Sequence, residues 1–239
     1  TLIGLLAFST LAKADLKVVI SIKPIHSLAS YIMDGVGSPG LIVDGYNSPH
    51  SFQLKPSHAK MLEQADIIFW IGEDLENFLE NTWATSAKKA EKIELLEIKG
   101  IKKLKFRERN IFEEHEGHDD HGHDAKKEEH DDHGHGEYDP NIWLDPINAK
   151  VILNEITEHL IENDSKNAAT YKSNLAKAIS GIDKLIIDVI TETNTDLSYV
   201  VFHDAYQYYE NRFNVNILGA MTVNPDVMPG AEQIHEIHE

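Results

Sequence analysis

The sequence predicts an α/β protein: two regions of parallel sheet joined by one long rigid helix, with the second region incomplete. Three observations carry this. Short β-branched runs alternate with helical patterns over residues 16–161, the mark of α/β units. A single amphipathic pattern of roughly seven turns follows. Strand-like character then returns near residue 197 and has only a few dozen residues in which to build a second sheet.

The elements follow in order. Residues 16–22 read as a first strand and 25–33 as the helix after it; 41–43 form a short second strand that runs into a loop rich in Gly, Asn and Pro. A helix with Pro near its start is expected over 56–64, a buried strand over 67–71, a helix over 76–82 and a strand over 93–98. Helical periodicity resumes over 146–161. The long helix is expected next, capped by Asp164 or Ser165 through a side-chain oxygen. Leu175, Ile179, Ile182, Ile186 and Val189 form one apolar stripe along it. A helix of that length between two α/β regions is a stiff strut. Residues 199–202 and 215–218 read as strands of the second region.

Domain limits follow. Residues 1–14 are the remnant of a signal peptide, 15–162 a first lobe, 163–194 the linking helix and 195–239 the start of a second lobe. The signal expectation rests on the apolar run over 2–11 followed by Ala12-Lys13-Ala14, a small-x-small cleavage pattern, so export is expected. The chain stops at Glu239 within a helical pattern, which suggests a longer reading frame.

The formal charge of −18 argues against nucleic acid, which needs a basic face. Much of this charge is local. Between Glu113 and Asp139 lie twelve carboxylates, two lysines and seven of the 14 histidines, and without that stretch the charge is −8. The absence of cysteine excludes disulfides and thiolate sites. A metal site here must use imidazole and oxygen donors.

The segment HEGHDDHGHDAKKEEHDDHGH over residues 115–135 is almost free of apolar side chains, so residues 113–138 are expected to be a disordered loop. Its histidines, His115, His118, His121, His123, His130, His133 and His135, suit Zn, Cu or Ni. Such a loop pays an ordering entropy on binding, so it is a low-affinity collector. Sparser candidates lie elsewhere. His50 sits on a turn after the second strand, and His203 ends a buried strand with Asp204 beside it. Ligands of open α/β sheets bind outside the carboxyl ends of strands. Either histidine alone reads as an ordinary surface residue; both at strand ends, one in each lobe, point to ligands. His26 and His58 fall near helix starts, and His159 near a helix end, where imidazolium suits the peptide dipole. His235 and His238 do not form a zinc-protease motif.

The words SPHSFQLKPS (residues 48–57), ADIIFWIGEDLE (65–76), DPNIWLDP (139–146), FHDAYQYYE (202–210) and VNPDVMPGAEQIHEI (223–237) resemble the ZnuA-type zinc solute-binding proteins of bacterial ABC importers. The resemblance implies two Rossmann-like lobes on a long rigid helix, with the metal site in the interlobe cleft. It implies a metal held by three imidazoles and completed by a carboxylate or water. His50 matches the first family ligand and His203 the third. The second position holds Asn141, a weaker donor for zinc. Three accounts are open: His133 or His135 swings in from the adjoining loop, Asp139 supplies a carboxylate, or the site is weaker or tuned to another metal. The flexible tether of the loop favours the first. The family's late acidic ligand would lie beyond Glu239.

The expected function is that of a monomeric periplasmic receptor that captures Zn²⁺ as transported ligand and delivers it to an ABC-transporter membrane permease, without enzymatic chemistry. The rivals are a manganese or iron receptor of the same superfamily, a periplasmic zinc buffer, and a metal hydrolase with Asp204 as base.

Overall fold

β1 (Val18–Ile20) is three buried β-branched residues, and it lies inside a four-stranded parallel sheet of order β2-β1-β3-β4. The computed structural model describes residues 15–107 and 136–222. β2 (Gly40–Leu41) pairs Val19 with Gly40, β3 (Ile67–Trp70) pairs Val18 with Ile67, and β4 (Glu91–Glu94) pairs Ile67 with Glu91. β1 and β3 are apolar and buried throughout, as strands covered on both faces must be. Strand order reverses between them, so the crevice at their carboxyl ends is the switch point of the sheet.

Helices α1 (Lys23–Met33), α2 (Pro56–Glu63), α3 (Glu73–Trp83) and α4 (Pro146–Asn163) accompany this sheet. Pro stands in the first turn of α1, α2 and α4, where its missing N–H has no intrahelical partner to lose. The second strand, expected to reach residue 43, has regular pairing only to Leu41, but Ile42 N donates to Ile20 O at 3.0 Å and Val43 N to Ser21 O at 2.8 Å. Trp70 and Trp83 meet edge to face at 5.1 Å, a packing role for both.

Two of the boundaries that differ from expectation have a clear physical reason. α3 begins at Glu73 rather than 76 and kinks at Glu76, whose φ/ψ of −120°/49° is non-helical. The fully buried Glu76 carboxylate accepts from Ile71 N and Gly72 N, each at 3.0 Å, so the kink returns the side chain to the end of β3. β4 begins at Glu91, not 93. It is an edge strand, so its charged start carried no apolar signal, and Leu95 and Leu96 continue the pairing through bonds to Trp70 O and Ile71 O.

α5 (Ala168–Glu192) has 25 residues, about 37 Å at about 1.5 Å per residue. The expected cap is corrected: the Asp164 carboxylate accepts from the Asn167 side chain at 2.6 Å and the Tyr171 hydroxyl at 2.9 Å, and Asn167 caps without a side-chain bond. A short 3-10 turn (Ser165–Asn167) takes up the chain between α4 and α5, displacing the helix start. Tyr171, Asn174 and Ala178 are buried on α5, and the Asn174 amide donates to Ile32 O and Asp34 O, both at 2.9 Å. This satisfies free carbonyls at the end of α1. The expected stripe from Leu175 to Val189 is half-buried. Farther along, Leu185, Ile187 and Ile190 are exposed.

β5 (Ser198–His203), α6 (Gln207–Phe213) and β6 (Asn216–Thr222) form a second βαβ unit with parallel strands. The architecture is therefore α/β, with parallel sheets and one long helix between them. Among the described residues no helix is long and apolar enough to cross a membrane.

Candidate metal centre

His50 follows the carboxyl end of β2 in a loop built by local bonds. Asn47 donates its side-chain amide to Asp44 O at 2.7 Å, and Ser48 Oγ accepts from His50 N at 3.2 Å. Phe52, two residues on, is buried against the rings of His58 and Phe78 and anchors the loop. His50 is left half-buried.

Asn141 precedes a 3-10 turn over Ile142–Leu144. Its backbone N–H and its side-chain amide both donate to Asp139 Oδ1 at 2.8 Å. With its nitrogen committed there, the amide presents its carbonyl oxygen away from Asp139, the end able to meet a cation. Burial pushes the Asp139 carboxyl up to about 6; the Asn141 bonds and Arg107 oppose this, while the charge of Asp204 adds to it.

His203 is the last residue of β5 and half-buried. Burial lowers its pKa, which keeps the imidazole neutral, the form that binds a metal. Asp204 beside it is pushed up to about 6 by burial, with Arg107 opposing and Glu210 adding to the rise. Arg107 Nη1 lies 3.5 Å from Asp204 and 3.0 Å from Glu210, and its second nitrogen closes a fork on Glu210.

These residues are tied together by α6. The Tyr208 hydroxyl donates to Asp139 O at 2.9 Å and accepts from Leu104 N at 3.0 Å. Arg212 forks onto Asp145, with Nε at 2.8 Å and Nη2 at 2.7 Å. Asp145 also caps α4 by accepting from Ile147 N at 2.9 Å. The second βαβ unit thus docks by hydrogen bonds onto the segment that carries Asn141. Among the described residues, no three of His50, His203, Asp139 and Asp204 bring ligand atoms within 4.8 Å of one another. The loop histidines, including His133 and His135, lie outside the described residues, as do His235 and His238. Tyr138, expected in the loop, bridges antiparallel to Lys105.

Arg107, Tyr208 and Arg212 were missed by the sequence argument. Tyr208 lay inside a recognised word, but nothing local showed its partners more than sixty residues away.

The family described as zinc-uptake complex component A, periplasmic, matches residues 18–239. The chain belongs to this family. Among relatives of this zinc-uptake component, a protein of Brucella abortus (strain 2308) named high-affinity zinc uptake system protein ZnuA is 43% identical over 253 residues, covering 97% of this chain and 75% of its own length. A Yersinia pestis protein of the same name is 34% identical, covering 94% and 71%. Among solved structures, a Zn(II)-bound AdcAII variant of Streptococcus pneumoniae aligns with TM-score 0.71 at 24% identity, over 93% of this chain and 75% of that one. A ZnuA crystal structure aligns with TM-score 0.71 at 19% identity, over 93% and 76%. At that identity these structures speak for the fold, and they share the α/β arrangement described above.

Proposed function

We propose that this chain is a periplasmic receptor that captures Zn²⁺ between two lobes and delivers it to the permease of an ABC importer. The observation that carries this is family membership over residues 18–239, joined to 43% identity with a protein named for high-affinity zinc uptake. The proposal divides the chain into a first lobe over 15–162, a linking helix over 163–194 and a second lobe from 195, with residues 1–14 as the remnant of an export signal. The receptor acts as a monomer and does no covalent chemistry.

His50 and His203 are the imidazole ligands of the proposed site. Position 141 supplies oxygen rather than nitrogen, and His133 or His135 from the loop completes the set. His115, His118, His121, His123 and His130 collect metal at lower affinity. Zinc accepts tetrahedral N/O sets without geometric preference from d-electrons, so such a mixed site can hold it. The Tyr208 and Arg212 bonds tie the helix after His203 to the segment that carries Asn141.

Competition between Zn²⁺ and Mn²⁺ on the full chain tests this. The proposal expects Zn²⁺ to displace Mn²⁺ completely at equal concentration; preferential retention of Mn²⁺ would move the chain to a manganese-type receptor. Zinc-dependent hydrolytic turnover would contradict the absence of catalysis.

A further inference from the structure

At the amino end of β4, away from the strand ends that carry His50 and His203, His159 of α4 is surrounded by carboxylates. Its Nδ1 lies 2.9 Å from Glu91 Oε1 and 4.0 Å from Glu162 Oε2, and its Nε2 lies 3.2 Å from Glu155 Oε1. One ligand atom each from Glu91, His159 and Glu162 falls within 4.8 Å of the others.

We infer that Glu91, His159 and Glu162 form a second divalent-metal site, suited to Zn²⁺, which staples the last turns of α4 to the edge strand of the first sheet. Three observations support it. Assigning the ring hydrogen to Nε2, which faces Glu155 at 3.2 Å, leaves Nδ1 as the donor for a cation, the carboxylate–histidine–metal arrangement. Nδ1 is buried and makes no aligned hydrogen bond, although a Glu91 oxygen stands 2.9 Å away. A lone pair facing a carboxylate at that distance is repulsive unless a cation lies between them. Finally, Asn163 donates to the other Glu91 oxygen at 3.1 Å and so aims Oε1 at the ring.

The spacing suits a metal. Tetrahedral zinc with bonds of about 2.0–2.1 Å places its ligand atoms about 3.3 Å apart, and the two distances from Nδ1 bracket that value. The His159 ring is fixed by an edge contact with Phe69 at 6.0 Å, while the Glu162 side chain is mostly exposed and Glu91 partly so, which leaves an entry path. The site is separate from the proposed cleft and does not depend on it. The alternative occupant is a proton, giving an imidazolium among three carboxylates.

Zn²⁺ titration of the full chain with ¹⁵N-labelled histidine separates these. The inference expects the His159 Nδ1 resonance to move to a metal-bound position in excess Zn²⁺ and the ring to stop titrating with pH. A Glu91→Gln/Glu162→Gln variant, altered only at side chains open to water, should lose that shift and one equivalent of bound zinc. A His159 ring that titrates identically with and without saturating Zn²⁺ overturns the site, as does an unchanged zinc equivalence in the double variant.

Discussion

The hydroxyl of Tyr208 donates to the backbone carbonyl of Asp139 at 2.9 Å, so the helix that follows His203 is bonded to the segment that holds Asn141. The same oxygen accepts from Leu104 N, and Tyr208 is almost wholly buried. Tyr208→Phe removes both bonds and leaves a carbonyl and an N–H without partners. The expected loss is about 1–3 kcal/mol of unfolding free energy in urea. A midpoint equal to wild type would show that water replaces the phenol.

Arg212 closes a bidentate fork on Asp145, a carboxylate that also caps α4. Arg212→Ala should cost about 1–2 kcal/mol, held to that range because Arg212 is about a third exposed. Arg212→Lys keeps the charge but cannot fork, so it should recover less than half of the loss in the same denaturation assay.

Glu76 supplies a pH signature. Burial, opposed by the Ile71 and Gly72 N–H bonds, raises its carboxyl from 4.5 to about 7. The folded state therefore favours the protonated form. The penalty for ionising it is absent below the unfolded value, grows as pH rises through 4.5 to 7, and is complete above that. It is on the order of 3 kcal/mol. Stability measured across this window should fall with rising pH more steeply in wild type than in Glu76→Gln. Parallel profiles would place the ionisation elsewhere.

Much of the fold was legible because burial and period coincide. The buried run from Ile67 to Trp70 and the half-buried stripe from Leu175 to Val189 each follow one rule, pairing inside a parallel sheet or facing along one side of a helix. Glu76 and Asp164 were not legible. Each side chain bonds across several residues to groups whose need for a partner appears only once β3 and α4 have ended. His50, Asn141 and His203 were proposed as site positions from their sequence words. Arg107 was not, because its partners Asp204 and Glu210 lie about a hundred residues away.

Asn141 stands where the family resemblance implies a histidine ligand. Asn141→His should raise zinc affinity at least about tenfold, since imidazole replaces a neutral amide oxygen. Deleting residues 113–135 should weaken wild type more than it weakens Asn141→His, because the variant no longer needs a loop histidine. Equal losses in both backgrounds would remove the loop from the high-affinity set.

The most direct test is the zinc dissociation constant of His50→Ala and His203→Ala, measured by competition with a chromophoric chelator with the loop intact. Both should lose more than the roughly 10–100-fold that removal of an outer-shell partner costs, while still collecting zinc weakly through the loop. Wild-type affinity in both variants would contradict the cleft site.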